Sequence, residues 1–144
     1  MAAFNKFNDF AEQLCLGKHN LNTDALHVYL SNATPSASLD AVKADLAEIS
    51  AGNGYTADGI DTLNTFAESG GTGTLTGTKA VWTASGGSIG PFQYVVLMNF
   101  TQSSPVKPLI GWYDYGSALT LLAGETFSVK YNSSDTTGTI LTVA

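Results

Sequence analysis

The chain is expected to fold as a mainly β domain, a β-sandwich or jelly roll of about eight strands with one or two short helices in its first third. Three observations carry that expectation. Short apolar runs rich in β-branched and aromatic residues recur roughly every 8–12 residues, each bounded by Gly, Ser, Asn or Pro. Charged residues make up only 12% of the 144, and glycine, at 15 residues, is used freely, the composition of a turn-rich β protein with a neutral polar surface. Three such runs also follow one another between Lys79 and Tyr115, a stretch that holds both tryptophans.

Taken in order, Phe4, Phe7, Phe10, Ala11 and Leu14 recur at spacings of three and four, which predicts a short amphipathic helix stopped by Gly17. Residues 1–22 therefore read as an arm that either packs on its own domain or anchors a partner, and residues 23–144 as a single β-sandwich domain. In TDALHVYLSNA, Leu26, Val28 and Leu30 alternate with Ala25, His27 and Tyr29, which predicts a strand with His27 turned away from the aliphatic face. Leu39, Val42, Leu46 and Ile49 fall at helical spacing after a capping Ser38, which predicts a second short helix over 38–50. AGNGYTADG is a turn-rich loop around Tyr55.

Ile60 to Ala67 and Thr72 to Lys79 are two weaker strands joined by ESGG. The second alternates threonines and lacks a strong apolar face, so it is placed at a sheet edge. Lys79–Thr83, Phe92–Phe100 and Pro108–Tyr115 follow, with Phe92–Leu97 as the central strand. Ser117–Leu122 and Thr126–Tyr131 resemble a hairpin or a Greek-key turn about AGE, NSSDTTG is a turn, and GTILTVA is a last strand. No fixed-period repeat is present, which argues against a solenoid or propeller.

Composition excludes several functions. With twelve acidic residues against six lysines scattered singly, no arginine and a formal charge of -6, the chain lacks the clustered cations that bind phosphates, so no nucleic-acid partner is expected. No apolar run approaches the roughly 20 residues of a membrane helix, and no secretory signal is recognised. Cys15, between Leu14 and Leu16, is the only cysteine; it reads as a small buried hydrophobe and allows no intrachain disulfide.

No catalytic or cofactor site is expected either. His19 and His27 do not match a metal-ligand spacing with Cys15. Asp58, Asp61 and the GNG turn lack the DxDxDG ladder that fills a calcium shell. GGTGTLTG and SGGSIG lack the GK[ST] of a phosphate loop. The aromatics Trp82, Trp112, Tyr113 and Tyr115 remain. They fill the space between sheets, form an exposed protein contact, or form a sugar-stacking platform. Alternation in WYDY sets Trp112 and Asp114 on one face and Tyr113 and Tyr115 on the other, so one set is expected to reach the surface.

The segments KFNDFAEQLCLGKHNLNTDALHVYLSNATP, DLAEISAGNGYTADG, VWTASGGSIGPFQYVVLMN and KPLIGWYDYGSALTLLAGETFSVKY resemble, in this order and over most of the chain, a family of small virion proteins of tailed bacteriophages. Its most distinctive parts here are Gly52–Thr56, Ser85–Leu97 and Leu109–Gly116. The resemblance implies a non-enzymatic capsid decoration, or cement, protein. Such a protein is made in the host cytoplasm, sits on the capsid exterior, binds the major capsid protein and stabilises the head. It also implies many copies on a symmetric shell, where repetition strengthens weak contacts. The apolar arm and the Thr-rich edge point to self-association on the lattice. Phe4, Phe7, Phe10 and Leu14 of the arm, with Trp112, Tyr113 and Tyr115, are the candidate contacts. The alternative is a tail- or fibre-associated domain that recognises host glycans through the WYDY aromatics.

Overall fold

A computed structural model of the chain describes residues 2–132 and 137–144. Among these, the elements in order are β1 (Asn5–Lys6), α1 (Asn8–Cys15), β2 (Leu26–Ser31), β3 (Ile60–Asp61), β4 (Thr65–Ser69), β5 (Thr72–Gly77), β6 (Ala80–Thr83), β7 (Ile89–Asn99), β8 (Leu109–Leu121), β9 (Thr126–Val129) and β10 (Gly138–Val143). All pair antiparallel, in a five-stranded sheet ordered β1-β8-β7-β2-β3, a three-stranded sheet β10-β5-β4 and a two-stranded ribbon β6-β9. The expected mainly β, sandwich-like architecture is the one observed.

Strand alternation assigns the five-stranded sheet two cores. One face presents Leu26, Val28 and Leu30 of β2, Val95 and Leu97 of β7, and Ile110 and Tyr113 of β8. Leu75, Trp82, Val129 and Ile140 from the two smaller sheets close over it. The opposite face presents Tyr29, Tyr94, Val96, Met98 and Leu109, covered by Phe7 and Leu46 with Trp112 alongside. A sheet covered on both sides needs apolar residues at every position of its middle strand, and β7 is buried without a break from Tyr94 to Asn99. A bulge adjusts β8 to the same two cores. Leu97 pairs with Gly111 and Met98 with Leu109, so Ile110 is the extra residue. It resets the alternation so that Ile110 and Tyr113 share a face.

The N-terminal segment straddles the sheet edge. β1 pairs with β8 through Asn5 and Lys6, which sends Phe7 to one core and Phe10, with Phe4 and Leu14, to the other. The run of phenylalanines is therefore not one helical face: α1 begins only after Phe7. Gly17 ends it as the sequence predicts. With Gly17 at φ +75°, its N–H bonds the Leu14 carbonyl and the Lys18 N–H that of Gln13, the Schellman arrangement.

Three local expectations are corrected. Residues 38–50 form no α-helix; only Lys43–Asp45 makes a 3-10 turn. The Asp40 and Asp45 carboxylates take backbone N–H groups of Ser36, Ala41 and Val42, which competes with helical bonding. Val42 is extended and bridges to Pro108, and Leu39 points to solvent. The Thr-rich strand β5 is central in its sheet rather than an edge. Its buried face is Gly73, Leu75 and Gly77, the glycines making room for the Phe66 ring and for Ile140. Ser117–Leu121 continues β8 and makes no hairpin with β9, which crosses to the other layer and pairs with β6. Part of the turn expected at Asn132–Gly138 lies outside the described residues.

Gly59, at φ +69°, packs so closely on β2 that a Cβ there overlaps the backbone of Val28. Gly59→Ala therefore combines a left-handed backbone with overpacking against main chain. A loss of roughly 2–4 kcal/mol is expected, read from urea-denaturation midpoints; an unchanged midpoint would refute this packing.

Candidate functional site

Three segments singled out in the sequence, Gly52–Thr56, Ser85–Leu97 and Leu109–Gly116, meet in space. Ser85–Leu97 supplies most of β7 and the turn before it, Leu109–Gly116 supplies the first part of β8, paired with β7 from Tyr94 to Met98, and the Gly52–Thr56 turn is fixed onto the start of the first. Asn53 adopts φ +56°. Its side-chain amide donates to the Ser88 carbonyl at 3.0 Å, and its own carbonyl accepts the Ser85 N–H at 2.9 Å. Tyr55 is buried and stacks on Trp82, with ring centroids 6.1 Å apart.

The Tyr55 hydroxyl organises a polar cluster beneath this turn. It accepts the Leu30 N–H at 3.0 Å and donates to Glu48 Oε1 at 2.7 Å. Glu48 Oε2 lies 2.6 Å from Lys43 Nζ, which also reaches Asp58 at 2.9 Å, and Lys107 meets the same Asp58 oxygen at 2.8 Å. Burial pushes the Asp58 carboxyl up, but hydrogen bonds from Lys107 and Lys43 outweigh it and hold the group below the usual carboxylate range. Burial likewise acts to lower the Lys43 ammonium, and its bonds to Glu48 and Asp58 raise it instead. Burial, with Glu48 nearby, drives the Tyr55 phenol well above its ordinary value. The cluster thus ties residues 43–58 to β2 and to the start of β8.

The candidate metal and calcium residues are engaged in structure. Asp58 meets two ammonium groups, and Asp61 Oδ1 accepts the Leu63 N–H at 2.8 Å. His27 stacks on Phe100 at 4.2 Å, with Nδ1 2.9 Å from the Asp58 carbonyl oxygen. His19 sits in a separate buried cluster with Asp24 and Asn99. Cys15 is exposed rather than buried, being turned well away from the buried Phe10 around α1. Among the described residues, no group of three or more His, Cys, Asp or Glu side chains is placed to hold a metal ion, and no helix is long and apolar enough to cross a membrane.

The seven candidate contact residues separate clearly. Phe7, Phe10 and Tyr113 are buried in the chain's own cores, and Phe4 and Leu14 pack against them. Trp112 is half-buried with its ring 4.6 Å from that of Phe7. Tyr115 alone is open, at 55% exposure. It stands where β8 leaves its partner: Tyr94 pairs with Asp114 and Phe92 with Leu119, so β8 carries three residues more than β7 between these pairs. Asp114 Oδ1 fastens the start of this excursion, accepting the Gly116 N–H at 2.7 Å and the Gln93 amide at 3.0 Å.

Tyr115 leans edge-on to Phe127, 5.8 Å between centroids. The two rings, with Ala2, Val95, Tyr113 and Val129, line an open apolar groove of about 310 Å³. Gly116 and Ser117, interrupting an otherwise alternating strand, were the sequence signal for the excursion. The part played by Phe127 comes from β9 pairing across layers and has no local signal.

Two outcomes test this anatomy. Tyr55→Phe removes one oxygen yet leaves the Leu30 N–H and a Glu48 oxygen without their partner, so a loss of about 1–3 kcal/mol is expected in chemical denaturation; a change within error would show that the hydroxyl is dispensable. The stability that Asp58 supplies is complete above the ordinary Asp value of about 3.9 and is lost as pH falls through its depressed folded value. Asp58→Asn should therefore flatten the acid limb of the stability–pH curve, and an unaltered limb would contradict the ion-pair assignment.

Comparison with protein-family models, with curated proteins and with solved structures finds no match to this chain.

Proposed function

We propose that this chain is a bacteriophage capsid decoration protein that binds the major capsid protein on the outer shell and stabilises the head. The observation that carries the reading is the sequence resemblance through Gly52–Thr56, Ser85–Leu97 and Leu109–Gly116. The fold supplies supporting features. These segments are contiguous and define a single braced unit, as a coat component under mechanical load requires. The exposed aromatic at Tyr115, beside the groove it forms with Phe127, is the surface proposed for the capsid contact. Aromatic residues beside apolar pockets are frequent centres of protein binding energy. Phe7 and Phe10 are withdrawn as direct contacts while the N-terminal segment is docked, since both are buried.

The glycan-recognition alternative finds less support. Trp112, the residue on which it rested most, is half-buried and packed against Phe7 rather than presented as a free platform.

Purified protein added to capsids that lack it is expected to bind the head, and Tyr115→Ala is expected to weaken that binding about tenfold or more, measured by co-sedimentation. Failure of the wild-type protein to bind heads would overturn the function. Normal binding by the variant would overturn only the assignment of Tyr115. Binding to a glycan array that depends on Trp112 or Tyr115 would favour host recognition instead.

A further inference from the structure

Beneath α1, where the N-terminal segment turns into β2, three polar side chains are buried together: His19 at 6% exposure, Asp24 at 9% and Asn99 at 0%. The donors and acceptors fix the protonation of the histidine. Asn99 Oδ1 accepts the backbone N–H groups of Thr101 at 3.0 Å and Gln102 at 3.2 Å. The orientation of the amide is thereby set, and its Nδ2 must face the other two residues. Nδ2 donates to Asp24 Oδ2 at 2.7 Å and meets His19 Nδ1 at 3.1 Å. A donor facing Nδ1 requires a lone pair there, so the ring is neutral with its proton on Nε2.

Asp24 cannot release Asn99 at little cost. The same Oδ2 also accepts the Asn20 N–H at 3.0 Å and the Gln102 side-chain amide at 3.3 Å. Turning the Asn99 amide to suit a protonated ring would set its oxygen against this carboxylate and break both bonds to the turn after β7. Protonated His19 would instead place an N–H directly against the Asn99 NH₂, two donors face to face. The Phe10 ring, 5.1 Å away and tilted, covers the imidazole, and Nε2 is buried with no acceptor. The carboxylates that act on the ring are Asp24, before β2, and Asp9, on α1. Burial lowers the affinity of the ring for a proton, and these two carboxylates only partly restore it. The turn after β7 presents the amide of Gln102.

We propose that His19 is an acid-sensitive latch: its neutral ring, held by Asn99, keeps the N-terminal segment through α1 docked on the domain, and protonation releases that segment. Besides the apolar packing of Phe7 and Phe10 in the two cores, the segment has few backbone ties. β1 is two residues long, and beyond it the backbone is held by the Phe7 N–H on the Ile110 carbonyl and the Asn8 N–H on the Ala37 carbonyl. Release exposes Phe7 and Phe10, the apolar residues that are inaccessible in the docked state. The direction follows from linkage. A ring that must be neutral when docked binds protons more readily when released, so docking is complete above the ordinary His value of about 6.5 and weakens as pH falls below it. Asp24 acts in a different window. Burial pushes its carboxyl up, but the bonds from Asn99, Asn20 and Gln102 hold it below the ordinary Asp range, so its contribution is lost only in stronger acid.

Amide hydrogen exchange on the whole chain, corrected for intrinsic rates, tests the latch, with β7 amides as the internal reference for global opening. Between pH 7 and pH 5, protection of the α1 amides is expected to fall by up to about tenfold per pH unit, while β7 stays protected. His19→Gln, whose side-chain oxygen can still accept from Asn99, is expected to abolish the pH dependence. Parallel loss in α1 and β7, or an unchanged α1 profile in the variant, would overturn the proposal. If the variant is too unstable to read, NMR of the wild-type ring decides. The neutral Nε2–H tautomer should be found at pH 7, with protonation accompanying loss of α1 protection. A ring that protonates while α1 stays protected would overturn the latch.

Discussion

β7 is buried on both faces from Tyr94 to Asn99, and the rest of the chain is arranged to satisfy that requirement. A strand in this position cannot present a polar side chain to either neighbour without a partner for it. The one polar residue in its last turn of sequence, Asn99, has every amide bond filled. On one side the smaller sheets supply Leu75, Trp82, Val129 and Ile140. On the other side no second sheet exists among the described residues. There the cover is improvised from Phe7, Leu46 and Trp112, which is why an N-terminal segment and an irregular loop are built into the core.

That improvised cover explains the polar clusters. The loop from Asp40 to Gly59 has almost no secondary structure of its own, yet it must hold Leu46 on one core and Tyr55 on the other. Tyr29 and Tyr55 anchor it by their hydroxyls, to the Leu46 carbonyl and to Glu48. Lys43, Asp58 and Lys107 join its ends to the start of β8. Ion pairs of this kind contribute modestly to stability; here they fix the path of a loop. The His19–Asn99–Asp24 cluster does the same for the N-terminal segment.

Much of this was legible in the sequence. Alternation in LHVYLS and the unbroken apolar run of QYVVLMN identify β2 and β7, because burial of one or two faces leaves a direct periodic trace. Gly17 marked the end of α1 for the same local reason. Residues 38–50 misled because helical spacing of Leu39, Val42, Leu46 and Ile49 says nothing about aspartates that bond their own backbone. The Thr-rich β5 misled because its buried face is made of glycines, which carry no hydrophobic signal and reveal their role only through the Phe66 and Ile140 side chains laid over them. In WYDY the alternation left open which set would reach the surface, and the structure splits one of them, with Tyr113 buried and Tyr115 exposed. Alternation also missed that Trp112 would be covered from outside its own sheet by Phe7, a contact between residues far apart in sequence.

The proposed function rests on the sequence resemblance; the structure adds that the segments concerned lie together, with one aromatic left open at the point where β8 parts from β7. A low-resolution electron cryo-microscopy map of virions carrying this chain tests the central claim most directly. Density matching the domain, repeated over the outer surface of the head, is the predicted result; density confined to the tail would contradict it.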